Sequence, residues 1–206
     1  MRRSRPQPGA VGIDLGLHAL VAISDGTIIP APRFFRRAEK RVARTHRAHS
    51  RKKLGSRNRE KTRRKVAQAH ARVADCRTDF LHKLTTTLIN ENQVICVENL
   101  AVQNLVRNHG RSKSIADASW GELVRQLMYK AAWYGRAVHQ IDRFFPSTKR
   151  CSTCGYVLEE LDLSVRQWTC PACGTTHERD INAAKNVLAA GLVVSACGGS
   201  VRPEAG

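Results

Sequence analysis

Hydrophobic residues near the start of the chain follow the period of β-strands. In the segment VGIDLGLHALVAISDGTII (residues 11–29), the first apolar residues occupy every second position, and a second apolar run extends over 17–24. Asp25-Gly26 is a dipeptide typical of a tight hairpin turn before a third short run. The pattern therefore predicts a three-stranded β-meander.

The pattern changes to a helical spacing after residue 32. Few apolar residues occur over 33–65, and Gly55-Ser56 divides this segment into two predicted helices. The second helix is expected to continue to about Asn90 and to pack one face on the first helix or on a sheet, because its apolar residues recur at heptad spacing. These residues are Val66, Ala67, Val73, Ala74, Phe80, Leu81 and Leu88.

Two short segments predict further strands. VICVE (94–98) is a continuous apolar run that ends in an acid, and AVHQI (137–141) is predicted as a further strand. A run of this kind is typical of a buried strand. Open α/β sheets bind their ligands at the carboxyl ends of strands, which is the position of Glu98.

A loop and a helix are predicted between these two strands. The segment 104–119 is polar and aperiodic, which predicts a mobile loop. Ser119 and Glu122 have the spacing of a capping box, and an apolar helical stripe follows over 120–134, closed by Gly135. The aromatic residues of that stripe are expected in the core.

Positive charge is concentrated on the two predicted basic helices. The chain has 35 Lys and Arg against 17 Asp and Glu, a net charge of +18 and a pI of about 10.4. Residues 33–65 contain sixteen Lys and Arg but only Glu39 and Glu60, which gives +14. A solvated basic face or a disordered arm is the alternative, but the helical spacing favours a hairpin that binds nucleic-acid phosphates. The predicted contacts are Arg36, Arg37, Lys40, Arg41, Arg44, Arg47, Arg51, Lys52, Lys53, Arg57, Lys61 and Arg64.

The N-terminal segment MRRSRPQPGAVGIDLG is basic and partly apolar, as a signal peptide would be. Asp14 and His18 interrupt its apolar part, so we expect no signal peptide. No run approaches the ~20 apolar residues of a membrane span. Cys76, Cys96 and Cys197 are expected to be free thiols of a reducing compartment. We therefore predict a cytoplasmic protein with no membrane partner.

The four remaining cysteines form two C-x-x-C pairs. Cys151 and Cys154 form the first pair, Cys170 and Cys173 the second, and fifteen residues lie between the pairs. Disulfides or a redox motif are the alternatives, but two such turns supply the four thiolates that a structural Zn²⁺ prefers. Four thiolates leave no open position for water, so we predict one structural zinc without a catalytic role.

Three acidic residues lie where their charge needs an explanation. Asp14 interrupts an apolar strand, Glu98 ends a buried strand, and Asp180 begins a helix that Gly191 is expected to end. Taken singly, Asp14 could accept backbone hydrogen bonds at a strand end, and Asp180 could be a helix N-cap.

An RNase H-like sheet would bring these acids together. In that architecture the first strand is central and pairs with the fourth, so Asp14 would lie beside Glu98, and a helix packed across the sheet could present Asp180. Three carboxylates at one place can hold two Mg²⁺ or Mn²⁺ ions, which bind the attacking and leaving oxygens of a phosphodiester.

Five motifs occur in order along the chain. They are GIDLG (12–16), VENL (97–100), FPSTKRCSTCG (145–155), CPACG (170–174) and HERDINAAKN (177–186). Together they resemble the C-terminal half of the TnpB/OrfB proteins of insertion sequences, which are RuvC-like nucleases related to the compact type V CRISPR effectors. The resemblance covers nearly the whole chain.

The resemblance implies an α/β fold with an RNase H-like (RuvC) mixed sheet, a long basic helical hairpin and an inserted zinc ribbon. It implies catalytic Asp14, Glu98 and Asp180 and RNA-guided, Mg²⁺-dependent cleavage of DNA. Family members carry a substantial portion ahead of GIDLG that binds the guide RNA. The resemblance implies DNA and a guide RNA as partners. Because Met1 lies just upstream of the first strand, we expect this portion to be missing and cleavage by this chain alone to be weak.

The expected organisation follows from these motifs. A RuvC-like core occupies 1–145 with the hairpin at 33–92, a zinc ribbon occupies 146–179, the final helix 180–191 and a flexible tail 192–206. A TnpB-like endonuclease is the first interpretation. The alternative is a non-catalytic nucleic-acid-binding regulator or a truncated transposase remnant. A zinc-ribbon transcription or ribosomal factor would leave two of the three acids unused.

Overall fold

A central strand organises the fold. The computed structural model describes residues 9–100, 112–162 and 164–196. Five strands form one sheet: β1 (Gly9–Leu15), β2 (Ala19–Ile23), β3 (Ile28–Pro30), β4 (Asn92–Glu98) and β5 (Ala137–Ile141). Their order is β3-β2-β1-β4-β5, and β1 is antiparallel to β2 but parallel to β4. The predicted meander, the two later strands and the pairing of the first strand with the fourth are confirmed.

Five helices and a small hairpin complete the described part of the chain. They are α1 (Phe34–Ser50), α2 (Arg57–Glu91), α3 (Ser112–Ala118), α4 (Trp120–Tyr134), β6 (Gln167–Thr169), β7 (Thr176–Glu178) and α5 (Arg179–Ala196). Helices α1 and α2 form the predicted hairpin. Gly55 has a positive φ of 76°, and the hydroxyl of Ser56 accepts a hydrogen bond from the Arg59 N–H at 3.2 Å, so the predicted division between the helices is confirmed.

Helix α2 has more packing partners than the sequence predicted. It packs on α1 along the hairpin and then on α4 and β4, because its 35 residues extend for about 50 Å. Ala67 and Ala74 are exposed and Ala69 is buried instead, so the heptad assignment is wrong at these positions. An α-helix repeats every 3.6 residues and not every 3.5, so a strict heptad drifts away from the packed face.

The segment between β4 and α4 also differs from its prediction. Residues 104–111 of the predicted loop lie outside the described residues, but Ser112–Ala118 is helical. Ser119 has a φ of 52° and makes no capping hydrogen bond, so the predicted capping box is wrong. Its hydroxyl donates to the Ala116 carbonyl oxygen at 2.9 Å, and Glu122 binds Arg125 instead. Local spacing alone did not determine the helix start.

The main apolar core lies between one face of the sheet and the helices α2–α4. Ile13, Leu81, Ile95 and Leu127 are among its buried residues. Gly135 ends α4 with a φ of 62°, as predicted, but Tyr134 is 53% exposed and lies outside the core. None of the helices in the described ranges combines the length and apolar character needed to cross a lipid bilayer.

Helix α5 covers the opposite face of the sheet at very short range. A Cβ atom at Gly12 would lie 2.1 Å from the Ala184 carbonyl oxygen, and one at Gly191 would lie 2.3 Å from the Sγ of Cys96. Gly191 therefore allows close packing and does not end the helix, which continues to Ala196, so its predicted role is wrong. Residues 192–196 of the predicted tail are helical, and 197–206 lie outside the described residues.

Candidate functional site

The pairing of β1 with β4 places two of the predicted acids side by side. Ile13 pairs with Val97, so Asp14 and Glu98 follow at equivalent positions on adjacent parallel strands. Side chains alternate along a strand, so Asp14 lies on the face that Gly12 presents to α5. Helix α5 begins at Arg179, which puts the third predicted acid in its first turn.

All three acids line one cavity of about 550 Å³. We call it the acid cavity. Its wall includes Arg33 just before α1, Arg166 from the segment before β6, and Arg179. The structure thus brings Asp14, Glu98 and Asp180 together, although their carboxylate oxygens do not form a group within 4.8 Å of one another, unlike the cysteine sulfurs below.

The acid cavity is an unfavourable place for negative charge. Asp14 is only 7% exposed, and burial raises its pKa well above the usual value. The Glu98 and Asp180 carboxylates raise the pKa of Asp14 further, and Arg179 opposes them. Burial also raises the pKa of Glu98, while a hydrogen bond from Ser147 lowers it. A divalent cation would relieve this repulsion, and carboxylate oxygens are the ligands that Mg²⁺ and Mn²⁺ prefer.

Ser147 holds Glu98 in place, a role that the sequence analysis missed. Its hydroxyl donates to the Glu98 carboxylate, and its carbonyl oxygen accepts a hydrogen bond from the Asn186 side chain at 2.8 Å. One turn earlier on α5, Asn182 binds the Arg150 carbonyl oxygen and the Ser152 N–H at 2.7 and 2.9 Å. The i, i+4 spacing of two asparagines in HERDINAAKN was the signal that could have predicted this docking face.

At the start of α5, the residue that caps the helix is not the third predicted acid. The Glu178 carboxylate accepts a hydrogen bond from the Ile181 N–H at 3.0 Å, so Glu178 caps the helix. Asp180 is the second residue of the helix and contacts two guanidinium groups, Arg179 at 3.4 Å and Arg166 at 3.6 Å. The alternative in which Asp180 is only an N-cap is therefore wrong.

The four predicted zinc ligands form one cluster. The Sγ atoms of Cys151, Cys154, Cys170 and Cys173 all lie within 4.8 Å of one another. Each C-x-x-C turn ends at a glycine with positive φ, and the two glycine N–H groups donate to the Cys151 and Cys170 carbonyl oxygens at 2.9 Å. The cluster could hold a metal ion such as zinc.

His177 is a second residue that the sequence analysis left without a role. Its Nε2 lies 3.0 Å from the Sγ of Cys151, and its ring stacks at a tilt against Trp168, with the ring centroids 4.9 Å apart. Contacts of this kind orient metal ligands from outside the coordination sphere. His177, the first residue of the HERDINAAKN motif, therefore contacts and orients a cysteine of the cluster.

The basic hairpin presents its predicted contacts to solvent. All twelve predicted nucleic-acid-binding residues are exposed. Most of their charge is free of ion pairs within the described residues, with Arg36 bound to Glu39 and Arg64 near Glu60 as exceptions. The hairpin is held together on its inner side, where the Phe34 and Phe80 rings meet edge to face with their centroids 5.8 Å apart.

Known proteins match the chain along most of its length. The family OrfB_IS605, described as "Probable transposase", matches residues 2–109, and the family "Cas12f1-like, TNB domain" matches 120–187. A Streptomyces pristinaespiralis protein named "Putative RNA-guided DNA endonuclease" is 54% identical over 95% of this chain and 48% of its own length. The Escherichia coli relative InsQ, of the same description, is 36% identical over 96% of this chain and 52% of its own length.

The chain thus spans about half the length of the curated relatives that it matches. A solved Cas12f1 chain, from a complex with sgRNA and target DNA, has a similar fold at 17% identity, with a TM-score of 0.62 over 89% of this chain and 39% of that one. Because the first family matches more than half of the chain, the protein belongs to the OrfB_IS605, or TnpB/OrfB, family.

Proposed function

We propose that this chain is the nuclease half of a TnpB-like, RNA-guided and divalent-metal-dependent DNA endonuclease, with an RNase H-like (RuvC) sheet. The observation that carries the proposal is the acid cavity. Asp14, Glu98 and Asp180 come from positions far apart in sequence, and they line the same cavity of about 550 Å³. A non-catalytic regulator would gain nothing from burying Asp14 among other acids.

In this proposal the three acids are the metal ligands, and Mg²⁺ or Mn²⁺ is the cofactor. Bound there, two such ions would activate the attacking water and stabilise the leaving oxygen of a phosphodiester. The protein's own residues fix the ligands: Ser147 orients the Glu98 carboxylate, and Arg166 and Arg179 limit the rotation of Asp180.

Cys151, Cys154, Cys170 and Cys173 are proposed to hold one structural Zn²⁺, so that residues 146–179 form a zinc ribbon. Its role is to position Thr148 and Arg166, which line the acid cavity from the segment between β5 and α5. Four thiolates complete the coordination of Zn²⁺, so the ion would take no part in cleavage.

DNA and a guide RNA are the proposed partners. The names of the relatives support this, as does the exposed positive charge of the hairpin. In RNA-guided enzymes, pairing with the guide delivers sequence specificity, and the protein binds the backbone. The twelve exposed basic residues on and between α1 and α2 are suited to binding the nucleic-acid backbone.

A cleavage assay tests the proposal. The protein is incubated with single- and double-stranded DNA in Mg²⁺ or Mn²⁺, alongside Asp14→Ala and the control Asp79→Ala, which removes an exposed acid of α2. We expect weak cleavage, strongest on single strands, that Asp14→Ala abolishes and Asp79→Ala preserves. Cleavage that survives Asp14→Ala, or no cleavage in either metal by wild type, would contradict the proposal.

A further inference from the structure

Arg33 has an unusual backbone conformation beside the acid cavity. Its φ of 53° and ψ of 47° lie in the left-handed region, where it is one of two non-glycine residues among those described. Glycine is the residue that adopts this region without cost. Strained residues cluster at functional sites, where the surrounding structure holds them in place.

The structure contains such a restraint. Asp117 of α3 is 8% exposed, and both of its carboxylate oxygens accept a hydrogen bond from the Phe35 N–H at 3.0 Å. Asp117 also binds Arg77 of α2 at 3.1 Å. Asp117 therefore satisfies a backbone N–H at the start of α1, and the Arg33 side chain is not needed for that purpose.

Two cavities meet at Arg33. It lines the acid cavity, and it also lines a neighbouring cavity of about 260 Å³ together with Arg36 and Ser114. Arg166 and Arg179 on the acid cavity contact Asp180. The Arg33 side chain, in contrast, has no hydrogen-bond or ion-pair partner within the ranges that the structure describes. It is exposed and available to an anion.

We propose that Arg33 binds a backbone phosphate of the nucleic-acid strand next to the acid cavity, and that the strand continues from there along α1. The inference rests on the proposed function and adds a phosphate subsite to it. Arg36, Arg37 and Lys40 follow on the same helix, and the distance along α1 from Arg33 to Arg44 is about 16 Å. A guanidinium suits this role because its planar array of donors matches phosphate oxygens.

The conformation of Arg33 provides a sharp test. Arg33→Gly removes the guanidinium and also relieves the left-handed strain, so the variant should melt at or above the wild-type temperature. Arg72→Gln is the control, because Arg72 is an exposed arginine of α2 that lines neither of these two cavities. Both changes are made in an Asp14→Ala background, and a labelled single-stranded oligothymidylate is titrated at several salt concentrations.

Arg33→Gly should weaken binding about tenfold and lower the slope of log affinity against log salt by about one. Arg72→Gln should weaken binding clearly less. Equal losses in the two variants, or wild-type binding by Arg33→Gly, would overturn the proposal. If Arg33→Gly melts below wild type, Arg33→Asn decides instead, because asparagine removes the charge but tolerates the left-handed region. A salt slope lowered by about one supports the subsite, and an unchanged slope contradicts it.

Cleavage in the Asp14-intact background separates this inference from the proposed function. If wild type cuts single strands, Arg33→Gly should lower kcat/KM by a factor similar to the loss of affinity. If wild type does not cut, the nuclease proposal fails, whereas the binding comparison still tests Arg33.

Discussion

At the scale of single residues, Asp14 carries a charge that folding makes unfavourable. Burial raises its pKa, and the neighbouring Glu98 and Asp180 carboxylates add to the shift. A carboxyl group whose pKa is higher in the folded than in the unfolded state stabilises the fold below its unfolded pKa. That contribution is lost as the pH rises through the folded pKa. At any pH above its unfolded pKa, and without a cation, Asp14 therefore opposes folding.

Asp14→Asn should consequently raise the melting temperature at neutral pH in the absence of divalent ions. Adding Mg²⁺ or Mn²⁺ should stabilise wild type but not this variant. Only the wild-type site keeps all three carboxylate ligands, and an ion that binds only the folded protein stabilises it. Thermal unfolding with and without the ions measures both effects. Asp79→Asn removes an exposed acid and should follow wild type in its response to the ions. A variant that melts below wild type without ions would contradict this account of Asp14.

The acids could be predicted from the sequence, but their supporting residues could not. Asp14 and Glu98 stand out because a carboxylate is rare within an apolar run. Ser147 and Arg33 have no such local signal. Ser147 binds Glu98, and Arg33 lines the acid cavity, because segments far apart in sequence meet there. The periodicity of apolar residues does not indicate which polar residues will do so.

At the scale of elements, the close approach of α5 to the sheet determines where the third acid lies. Gly12 in β1 and Gly191 in α5 permit it. Sequence patterns predicted both elements but misread Gly191 as a helix end, because a glycine in a helix signals a terminus more often than a close contact. The pairing of the first strand with the fourth was predictable for a different reason: the order of strands and helices along the chain suited an RNase H-like sheet, which requires that pairing.

Gly12→Ala should separate α5 from β1. The added methyl group would lie 2.1 Å from the Ala184 carbonyl oxygen, a backbone atom that cannot move alone. We expect a loss of about 1–3 kcal/mol in the free energy of unfolding, and a loss of cleavage as Asp180 shifts. Gly121→Ala is the control, since nothing lies within 4 Å of a Cβ there. Chemical denaturation measures the free energy of unfolding of the two variants. Equal stability of Gly12→Ala and Gly121→Ala would contradict the packing argument.

The cysteine cluster should be a folding unit that depends on its metal. Apart from its cysteines, its own core contains little more than Trp168, Leu158, Leu161 and Val165. The proposed zinc would therefore contribute much of its folding free energy. Elemental analysis should find one zinc per chain, and a chelator should increase hydrogen exchange over 146–179 while β1 and β4 stay protected. A zinc-free protein with a protected ribbon would contradict this.

At the scale of the whole molecule, charge is divided between an acidic cavity and a basic hairpin. The hairpin contributes +14 of the net +18, and it leads toward the cavity at Arg33. This division suits a protein that binds a phosphate backbone over a long surface and carries out chemistry at one end.

Nucleic-acid affinity should therefore fall steeply between ~50 and ~200 mM salt. Neutral substitutions at Arg44, Arg47, Arg51 and Lys52 together should reduce both the affinity and the salt slope. Fewer phosphate contacts then form on binding, so fewer counterions are released. The same number of substitutions at Lys113, Arg125, Arg143 and Lys185, which are exposed and lie outside the hairpin, is the control. Fluorescence anisotropy with labelled DNA gives both quantities. Equal effects of the two sets would show that the hairpin is not the binding surface.

The central claim is that Asp14, Glu98 and Asp180 form one divalent-metal site. Anomalous diffraction from crystals soaked in Mn²⁺ tests it most directly, because it locates the ion independently of activity. The claim predicts manganese peaks inside the acid cavity, each within about 2.0–2.2 Å of carboxylate oxygens from these residues. The peaks should be absent in Asp14→Asn crystals grown in the same way. Saturating Mn²⁺ with no peak between the three acids would contradict the claim.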